Sequence, residues 1–558
     1  MKKKNHKYVF VVGGVMSGVG KGVATSSIGN ILKSRGYAVT AMKIDPYVNV
    51  DAGTMNPTEH GEVFVLTDGM ECDQDMGNYE RFLDCNLSKM NYMTTGSVYL
   101  SVINKERNLL YKGKSVSVVP HIPLEVISKI DAAMEENKAE VVIVEVGGTV
   151  GEYENILFLE AVKMLKIKRP GDVVLVLVSF LPAIGASNEL KTKPTQHAVR
   201  ALNSAGLHPD IIIARAKVAL DKKRREKLAF NCSLRDGNVV SAPDIETIYE
   251  VPLNFEKDKM GENILKKLHL KPKPQNLDEW RNFVKRIKEV KEEVKIGIVG
   301  KYFGTGDFTI SDAYISVIEA VKHAAYFNKR KLELVWLDAE DYEDTKGDAR
   351  EENLKKLLAY DGIVVPGGFG SRGVEGIMNV IRFVRENKIP YFGLCYGMQL
   401  AVVEFARNEA QLKGAHTTEV DKETKYPVID VMENQKKNIA ESKLGGTMRL
   451  GSYPAVLTKG TIAQRAYNTD TIFERHRHRY EVNPLYIDKL TEKGMLFSGA
   501  SPDGRLMEIA ELSKEIHPFF LGTQFHPELQ SRPITSHPLF AEFIKAASER
   551  HRNEPNLT

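Results

Sequence analysis

The chain of 558 residues is long enough for two to four domains. Hydrophobic residues make up 42% of it and charged residues 27%, as in soluble globular proteins, and a net charge of +4 argues against a general nucleic-acid binder. No apolar run approaches the roughly 20 residues of a membrane-spanning helix, so we expect no membrane partner, and four scattered cysteines fit a reducing cytoplasm.

The first half of the chain alternates apolar strand-like runs with helical stretches. Continuous Val and Ile runs separated by helices are typical of parallel strands buried on both faces. We therefore predict a doubly wound α/β domain over residues 1–270, with a mostly parallel sheet. Its predicted strands are residues 8–12, 38–44, 116–119, 141–146, 173–178 and 211–214.

The first predicted strand runs into a glycine-rich segment, residues 13–22 with the sequence GGVMSGVGKG. Glycines let backbone N–H groups converge on a phosphate, the following helix adds its positive end, and Lys21 supplies a point charge. The spacing departs from the usual phosphate loop, because five residues instead of four separate Gly14 from Gly20. Gly22 also stands where Ser or Thr usually provides a metal-binding hydroxyl. A glycine-rich turn without a ligand is the alternative interpretation.

Carboxylates near such a loop are candidates for holding Mg²⁺. Glu145 follows the apolar run at residues 141–144, and Asp75 lies in the acidic segment 73–77. For Asp75 the alternative is a residue that caps a loop. Lys43 ends the second predicted strand and is placed to approach the phosphates from the other side.

A polar, proline-bearing segment separates the two halves of the chain. We assign residues 271–293 to this linker and a charged connecting helix, whose apolar residues recur at helical spacing and should pack on a neighbouring element. A second doubly wound α/β domain with a mostly parallel sheet is predicted for residues 294–548, followed by a polar tail at 549–558.

Within this second domain, residues 393–397 (GLCYG) lie between an apolar run and a helix-like run. G-x-C-x-G between strand and helix is the nucleophile-elbow pattern with Cys in place of Ser. The glycines permit a tight turn that exposes the thiol, and the N-terminus of the helix favours a thiolate. A buried cysteine beside two turn glycines is the alternative.

Two further segments complete a catalytic pattern. His526 and Glu528 provide the base and the carboxylate that a cysteine nucleophile needs. The glycine turn at residues 366–370 follows a strand-like run, and its N–H groups are candidates for an oxyanion hole. With these features in this order, residues 294–548 resemble the class I glutamine amidotransferases, which hydrolyse glutamine through a Cys-His-Glu triad and pass the ammonia on.

Nearly end to end, the chain resembles the CTP synthase family. The motifs that carry this resemblance are residues 13–22, 43–50, 75–82, 145–151, 191–197 (KTKPTQH), 445–451 (GGTMRLG) and 475–482. The family is a ligase family that aminates UTP to CTP with ATP and glutamine, the final step of de novo CTP synthesis. The resemblance implies Mg²⁺, GTP as allosteric activator, CTP as feedback inhibitor, and a cytoplasmic homotetramer of a kind that polymerises into filaments.

The resemblance also implies roles for single residues of the first half. Those implied to bind ATP are Gly18, Val19, Gly20, Lys21, Gly22, Val23 and Asp75, with Lys43 at the transferred phosphoryl group and Mg²⁺ on Asp75 and Glu145. Those implied to bind UTP or CTP are Ser17, Glu152, Tyr153, Glu154, Lys191, Thr192, Lys193, Pro194, Thr195, Gln196 and Lys227. The family pattern at 152–154 is Asp-Ile-Glu, so the first two of these positions differ here.

In the second half the resemblance implies the catalytic residues Cys395, His526 and Glu528. The residues implied to bind glutamine are Gly368, Tyr396, Gly397, Met398, Gln399, Glu419 and Arg479. Gly368 and the backbone of Tyr396 would form the oxyanion hole, and Tyr396 stands where Leu or Phe is more common in the family. The fork of an arginine suits the α-carboxylate of glutamine. Arg372 is the candidate for GTP.

Two other functional classes compete with this interpretation. Another ATP-dependent amidating synthetase, of the cobyrinic-acid or dethiobiotin type, would share the variant phosphate loop, but we do not expect it to carry segment 191–196. A P-loop ATPase switch or filament-forming structural protein has no use for a triad. The basic run 222–227 is interpreted as a solvated helix face apart from Lys227. His476 and His478 lie beside arginines with no acidic or Cys partner in the sequence, which disfavours a metal site.

Overall fold

The computed structural model describes residues 6–184, 189–301, 304–305, 308–309, 311–432, 435 and 445–553. The chain forms two compact units, the first made of Met1–Ala52 and Cys72–Val284 and the second of Gly53–Glu71 and Lys285–Thr558. Segment Gly53–Glu71 therefore belongs to the second unit, although it precedes the linker in sequence. Across the described ranges, no helix is both long enough and apolar enough to cross a membrane.

The first unit is built on a seven-stranded sheet in which all neighbouring strands are parallel. In order across the sheet, the strands are Val239–Pro243, Ile211–Ala216, Val173–Phe180, Lys7–Gly14, Val141–Thr149, Val39–Asp45 and Tyr92–Thr94. In the central strand, Tyr8 and Phe10 enter the core on one face and Val9 and Val11 the core on the other. Burial on both faces explains the uninterrupted apolar runs of the sequence.

Helices cover both faces of this sheet. They are Lys21–Lys33, Asp75–Leu83, Thr95–Arg107, Val118–Glu136, Ile156–Lys168, Lys193–Ser204, Lys222–Asn231, Val251–Lys257, Met260–Lys267 and Asp278–Glu289. On the last of these helices, Trp280 lies 5.1 Å from Phe82 and 5.9 Å from Tyr249 between ring centroids. Its apolar residues thus pack on a neighbour, as their helical spacing predicts.

One predicted strand, residues 116–119, is wrong. Val118 begins a helix, Val118–Glu136, and the edge of the sheet is formed instead by Tyr92–Thr94. Val118 and Val119 are about half exposed, at 50% and 49%, so they are not part of a buried strand. A short apolar run does not by itself distinguish a strand from the start of a helix, and the following proline is tolerated in a first helical turn.

The second unit contains a nine-stranded mixed sheet. Its parallel half comprises Lys331–Asp338, Glu293–Gly300, Gly362–Val365, Tyr391–Leu394 and Phe520–Thr523. Its antiparallel half comprises Met507–Leu512, Met495–Ala500, Arg449–Leu457 and Thr471–His478. A smaller sheet comprises Ala415–Thr417, Tyr426–Val431 and Tyr480–Val482. The α/β fold class is confirmed for both halves of the chain.

The helices of this unit again lie on both faces of its sheet. They are Ile315–Phe327, Asp348–Lys356, Val374–Glu386, Tyr396–Asn408, Ile462–Tyr467, Ile487–Glu492 and Pro538–Asn553. Tyr391 packs in the core on one face, and Phe392 and Leu394 in the core on the other. Because neighbouring parallel strands end at the same edge, the glycine turn 366–370, Cys395 and residues 524–528 meet there.

Candidate active sites

The glycine-rich loop of the first unit ends at the helix Lys21–Lys33. Gly18 and Gly20 have φ values of 68° and 88°, a region that favours glycine. No side chain caps this helix N-terminus among the described residues, so its N–H groups and its dipole are available to an anion. The Nζ atom of Lys21 donates to the carbonyl of Gly148 at 3.0 Å. Burial lowers the pKa of Lys21, against the opposing charge of Glu145.

The structure explains why Gly22 replaces the usual Ser or Thr. A Cβ atom built on Gly22 would lie 1.9 Å from Oδ1 of Asp75, so no side chain fits there. Asp75 is the first residue of the helix Asp75–Leu83, and its N–H donates to Asp73 at 2.8 Å. Its carboxylate therefore takes up the space in which an ordinary phosphate loop places the metal-binding hydroxyl.

Lys43 lies among four carboxylates. Its Nζ atom is 2.5 Å from Asp75, 2.9 Å from Glu145, 3.7 Å from Asp45 and 3.8 Å from Asp73. Burial opposes the charge of Lys43, but these carboxylates hold its pKa well above the usual value. Burial raises the pKa of Glu145. Burial also acts to raise the pKa of Asp75, but Lys43 outweighs it and the pKa is lowered.

This carboxylate cluster fits Mg²⁺ that arrives with phosphates. The carboxyl groups outnumber the lysines beside them, and carboxylate oxygens are the ligands that Mg²⁺ prefers. In the part of the chain that the structure describes, no set of three or more His, Cys, Asp or Glu side chains is arranged to hold a metal alone. That is compatible with Mg²⁺, which commonly uses one or two carboxylates plus substrate phosphates.

A mostly apolar cavity lies beside the phosphate loop, and the sequence did not reveal it. Arg215, near the end of the strand Ile211–Ala216, donates to the carbonyls of Ala242 at 3.1 Å and Pro243 at 3.2 Å and pairs with Asp244 at 3.0 Å. The cavity is lined by Gly20, Val23, Ala24, Val178, Ile213, Arg215, Ala242, Pro243, Asp244, Ile245, Ile248, Val251, Asn254 and Phe255. Apolar walls next to an anion site suit a planar base attached to phosphates.

Lys191 pairs with Glu189 at 2.7 Å, and this hydrogen bond lowers the pKa of Glu189. The charges of Arg224 and Lys227 act on that pKa in the same direction. Thr192 and Gln196 are buried, and Nε2 of Gln196 donates to Oγ1 of Thr192 at 3.1 Å. These residues surround the start of the helix Lys193–Ser204, where Lys193 is exposed, Pro194 half-buried and Thr195 buried.

The other residues predicted to bind pyrimidine nucleotides are more open. Ser17 and Glu154 are exposed, and Tyr153 is 92% exposed. Glu152 accepts from the N–H of Thr149 at 2.7 Å, which places its carboxylate at the end of the strand that carries Glu145.

In the second unit, Cys395 has the backbone geometry of a nucleophile elbow. It connects the strand Tyr391–Leu394 to the helix Tyr396–Asn408, with φ 48° and ψ −93°. A non-glycine residue in that region is strained, as expected where a side chain is turned out of a strand–helix junction. A Cβ atom on Gly393 would lie 2.7 Å from the carbonyl carbon of Gly397, and one on Gly397 would lie 2.3 Å from the carbonyl oxygen of Val365.

This packing predicts a large loss of stability for Gly397→Ala. The new methyl group would meet the rigid backbone of Val365, and overpacking of this kind costs about 1–3 kcal/mol. We expect urea unfolding of the isolated variant to begin at lower denaturant than that of the parent chain. Gly368→Ala is the matched control, because its Cβ would meet nothing nearer than 3.6 Å. Equal stability of the two variants would contradict this account of the elbow.

His526 and Glu528 lie at the same sheet edge as Cys395. Nδ1 of His526 is 2.7 Å from Oε1 of Glu528. Burial acts to lower the pKa of His526, but the charges of Glu528 and Cys395 outweigh it and raise the pKa well above its usual value. A Cβ atom on Gly367 would lie 2.8 Å from Cε1 of His526 and 3.9 Å from Cβ of Cys395, so the glycine turn passes close to both.

Two further residues contact the thiol, and the sequence motifs did not indicate either of them. Nε2 of Gln524 donates to Sγ of Cys395 at 3.5 Å, and Sγ donates to the carbonyl of Arg477 at 3.9 Å. The thiol opens into a cavity lined by Pro57, Glu62, Val63, Ala313, Tyr314, Val317, Gly367, Gly368, Phe369, Cys395, Arg477, His526, Glu528 and Leu529. Three of these residues come from segment Gly53–Glu71, whose participation no local motif indicated.

Two charged residues predicted to bind glutamine have hydrogen-bond partners within the second unit. Oε1 of Glu419 accepts from the N–H of Gly370 at 2.8 Å. Arg479 donates to Gln435 at 2.7 Å and to Thr447 at 2.9 Å.

Two further residues predicted to contact glutamine are buried. Gln399 is 2% exposed and donates to the carbonyl of Tyr480 at 3.0 Å. Met398 is fully buried and packs against Gly522.

The candidate GTP residue, Arg372, lies on the surface. Its side chain is 60% exposed and pairs with Glu340, and this pairing lowers the pKa of Glu340.

His476 and His478 were interpreted as having no acidic partner, and this is wrong for His476. Nε2 of His476 lies 3.7 Å from Glu508, which is paired with Arg449 at 2.8 Å. Nδ1 of His476 is 3.0 Å from Nε2 of His478, and burial lowers the pKa of His478 to about 3. The two rings are therefore neutral and buried, and they flank Arg477 on the strand Thr471–His478.

Comparisons with known proteins agree with this layout. The family model for the CTP synthase N-terminus matches residues 7–270, and that for class I glutamine amidotransferases matches residues 309–546. The CTP synthase of Caldanaerobacter subterraneus subsp. tengcongensis is 48% identical over 541 residues, 97% of this chain and 98% of that protein. The CTP synthase of Methanocaldococcus jannaschii is 50% identical over 548 residues, again 97% and 98%. Among solved structures, the glutaminase domain of Trypanosoma brucei CTPS with bound acivicin is 35% identical and covers 46% of this chain and 94% of that one, with a TM-score of 0.41.

Proposed function

The chain belongs to the CTP synthase family, and we propose that it aminates UTP to CTP at the expense of ATP, with ammonia from glutamine. The observation that supports the proposal is that each unit groups residues suited to a different chemistry. One unit combines a phosphate loop with a lysine and carboxylate cluster, and the other combines an elbow cysteine with a paired His526 and Glu528.

At the second site, the chain's residues are suited to hydrolyse an amide. The Cys395 thiolate attacks the side-chain carbonyl of glutamine, and His526 supplies the proton with which ammonia leaves. Water then cleaves the resulting thioester, which releases glutamate and restores the thiol. Glu528 fixes the orientation of the imidazole and stabilises its protonated form. The N–H groups of Gly368 and Tyr396 bind the oxyanion of the tetrahedral intermediate. Arg479 and Glu419 would hold the α-carboxylate and the α-amino group of glutamine, because their charges are opposite to those groups.

At the first site, the residues are suited to move a phosphoryl group. The 4-oxygen of UTP is a poor leaving group until it is phosphorylated, after which ammonia displaces it as phosphate. Lys21 and the loop N–H groups hold the phosphates of ATP, and Lys43 faces the transferred group. Asp75 and Glu145 would hold Mg²⁺, whose contribution when bound is to offset charge on the phosphates. The apolar cavity beside Arg215 would take the base of ATP, because a guanidinium stacks well on aromatic rings.

The remaining ligands follow from the same assignment. The segment from Lys191 to Gln196, with Lys227 and Ser17, would take UTP. The residues from Glu152 to Glu154 would contact CTP, the feedback inhibitor. Positions 152 and 153 differ from the family pattern Asp-Ile-Glu. Arg372 would contact GTP, the allosteric activator, and the active form would be a homotetramer of the kind that assembles into filaments.

Glu528→Gln tests the acid–base part of the second site. The negative charge of Glu528 helps to raise the pKa of His526, so its removal lowers that pKa. Wild type needs protonated His526 and loses activity as pH rises through the raised pKa; in the variant this alkaline loss should begin at lower pH. At neutral pH we expect kcat for glutamine hydrolysis to fall about 10²–10⁴-fold. A pH profile with an unmoved alkaline limb would contradict the role of Glu528.

The proposal as a whole is tested by product formation. The purified chain would be given UTP, ATP and Mg²⁺ with either glutamine or ammonia, and CTP would be followed by absorbance. We expect CTP with both nitrogen sources. Absence of CTP with both would favour another ATP-dependent amidating synthetase, and ATP hydrolysis without dependence on UTP or glutamine would favour a P-loop switch.

A further inference from the structure

The side chain of Tyr396 extends along the glycine turn at residues 366–370. The side chain is 2% exposed, and its hydroxyl donates to the carbonyl of Gly370 at 2.7 Å. A Cβ atom built on Gly368 would lie 3.6 Å from Cδ1 of the same ring. The backbone N–H of Tyr396 is one of the two proposed oxyanion donors, and its side chain thus contacts the turn that carries the other donor.

Two charged side chains hold the same end of the turn. Nζ of Lys301 donates to the carbonyl of Gly370 at 2.7 Å and lies 4.4 Å from the centroid of the Tyr396 ring. Oε1 of Glu419 accepts from the N–H of Gly370 at 2.8 Å. Both backbone polar groups of Gly370, whose φ is 77°, are therefore bound by side chains.

Burial makes a positive charge on Lys301 energetically unfavourable. Its residue is 5% exposed, and burial lowers its pKa to about 8, against the opposing charge of Glu419. The ammonium donates to the carbonyls of Gly370 and Phe369, lies over the ring of Tyr396 and is stabilised by the charge of Glu419. Sequence reasoning missed Lys301, although a lysine directly after the strand Glu293–Gly300 lies at the functional edge of a parallel sheet.

We propose that the Tyr396 hydroxyl and the Lys301 ammonium hold the glycine turn in place, so that the N–H of Gly368 faces the oxyanion formed during glutamine hydrolysis. Both are positioning residues, acting through Gly370. This inference rests on the proposed function, because it presupposes acyl transfer to Cys395. A run of glycines is conformationally permissive, and oxyanion donors accelerate a reaction only when they are held in advance.

Tyr396→Phe is the first test, because it removes the hydroxyl and keeps the ring beneath Gly368. Loss of one buried hydrogen bond corresponds to about a tenfold change. We expect kcat for glutamine hydrolysis to fall about tenfold while KM stays within about twofold. Lys301→Met should likewise lower kcat for glutamine hydrolysis while KM stays within about twofold. Tyr467→Phe is the matched control, because it removes a buried hydroxyl, bonded to Glu474 at 2.7 Å, away from the cavity; its kcat should equal that of wild type.

A second readout separates positioning of the turn from a damaged thiol or fold. Alkylation of Cys395 by iodoacetamide forms no oxyanion, so its rate, followed by mass spectrometry of the Cys395 peptide, should be unchanged in Tyr396→Phe and Lys301→Met. Formation of CTP from ammonia should also be unchanged. Unchanged kcat for glutamine, an effect confined to KM, or an equal fall in the alkylation rate would overturn the inference. A wild-type chain that made no CTP from ammonia would refute the proposed function, while glutamine hydrolysis by the variants would still decide this inference.

Discussion

Cys395→Ala should abolish glutamine-dependent CTP formation and leave ammonia-dependent formation intact. The variant lacks the thiol proposed to attack the amide, and removal of a catalytic nucleophile costs on the order of 10⁴–10⁶ in kcat. The carboxylate cluster around Lys43 belongs to the other unit, so its chemistry does not depend on the thiol. Initial rates of CTP formation with saturating glutamine, and then with ammonia, measure both expectations on one preparation.

Cys85→Ala is the matched control for this experiment. Cys85 is a cysteine of intermediate burial in the first unit, outside both proposed sites. Both rates should stay within about twofold of wild type, which is less than about 0.4 kcal/mol. Equal loss of both rates in Cys395→Ala would mean that the two sites are not separable in the way proposed here.

Lys21→Met should produce the opposite pattern. CTP formation should fall by about 10³-fold with either nitrogen source, because a preorganised cation facing the transferred phosphates contributes on this scale. Basal glutamine hydrolysis should persist, since Cys395, His526 and Glu528 lie in the other unit. The rates of CTP formation and of glutamate release, measured on the same variant, give the two numbers.

Lys222→Met controls for the loss of a positive charge from this unit. Its side chain is 90% exposed on a solvated helix face, so both rates should be unchanged. Retention of full CTP formation in Lys21→Met would exclude the phosphate role of the glycine loop, however well the loop geometry fits an anion.

Much of this fold and of these sites could be predicted from the sequence, because the signals are local. Uninterrupted Val and Ile runs indicate strands buried on both faces, and they correspond to five of the six strands predicted for the first unit. Cys395, His526 and Glu528 stand at strand ends, where neighbouring parallel strands place them together. The antiparallel half of the second sheet was not predicted, because strands such as Thr471–His478 mix charged and apolar residues, and that strand is partly exposed.

What the sequence did not reveal depends on contacts between distant segments. Arg475 donates to the carbonyl of Val65 at 3.0 Å, and Arg477 pairs with Glu71 at 2.8 Å, so segment Gly53–Glu71 joins the second unit through residues about 400 positions away. Lys301 likewise acquires its environment only when the glycine turn and Glu419 are packed against it. From the sequence, Gly22 only lacks the usual metal-binding hydroxyl; the carboxylate of Asp75 beside it explains why a glycine is needed there.

The most direct test of the central claim follows the nitrogen atom. Wild-type chain would be given UTP, ATP, Mg²⁺ and glutamine labelled with ¹⁵N at its side-chain amide, and the CTP would be analysed by mass spectrometry. The proposed function predicts CTP labelled at its exocyclic amine, in proportion to the glutamate released. Glutamate release without labelled CTP would contradict it, because the two sites would then not be parts of one reaction.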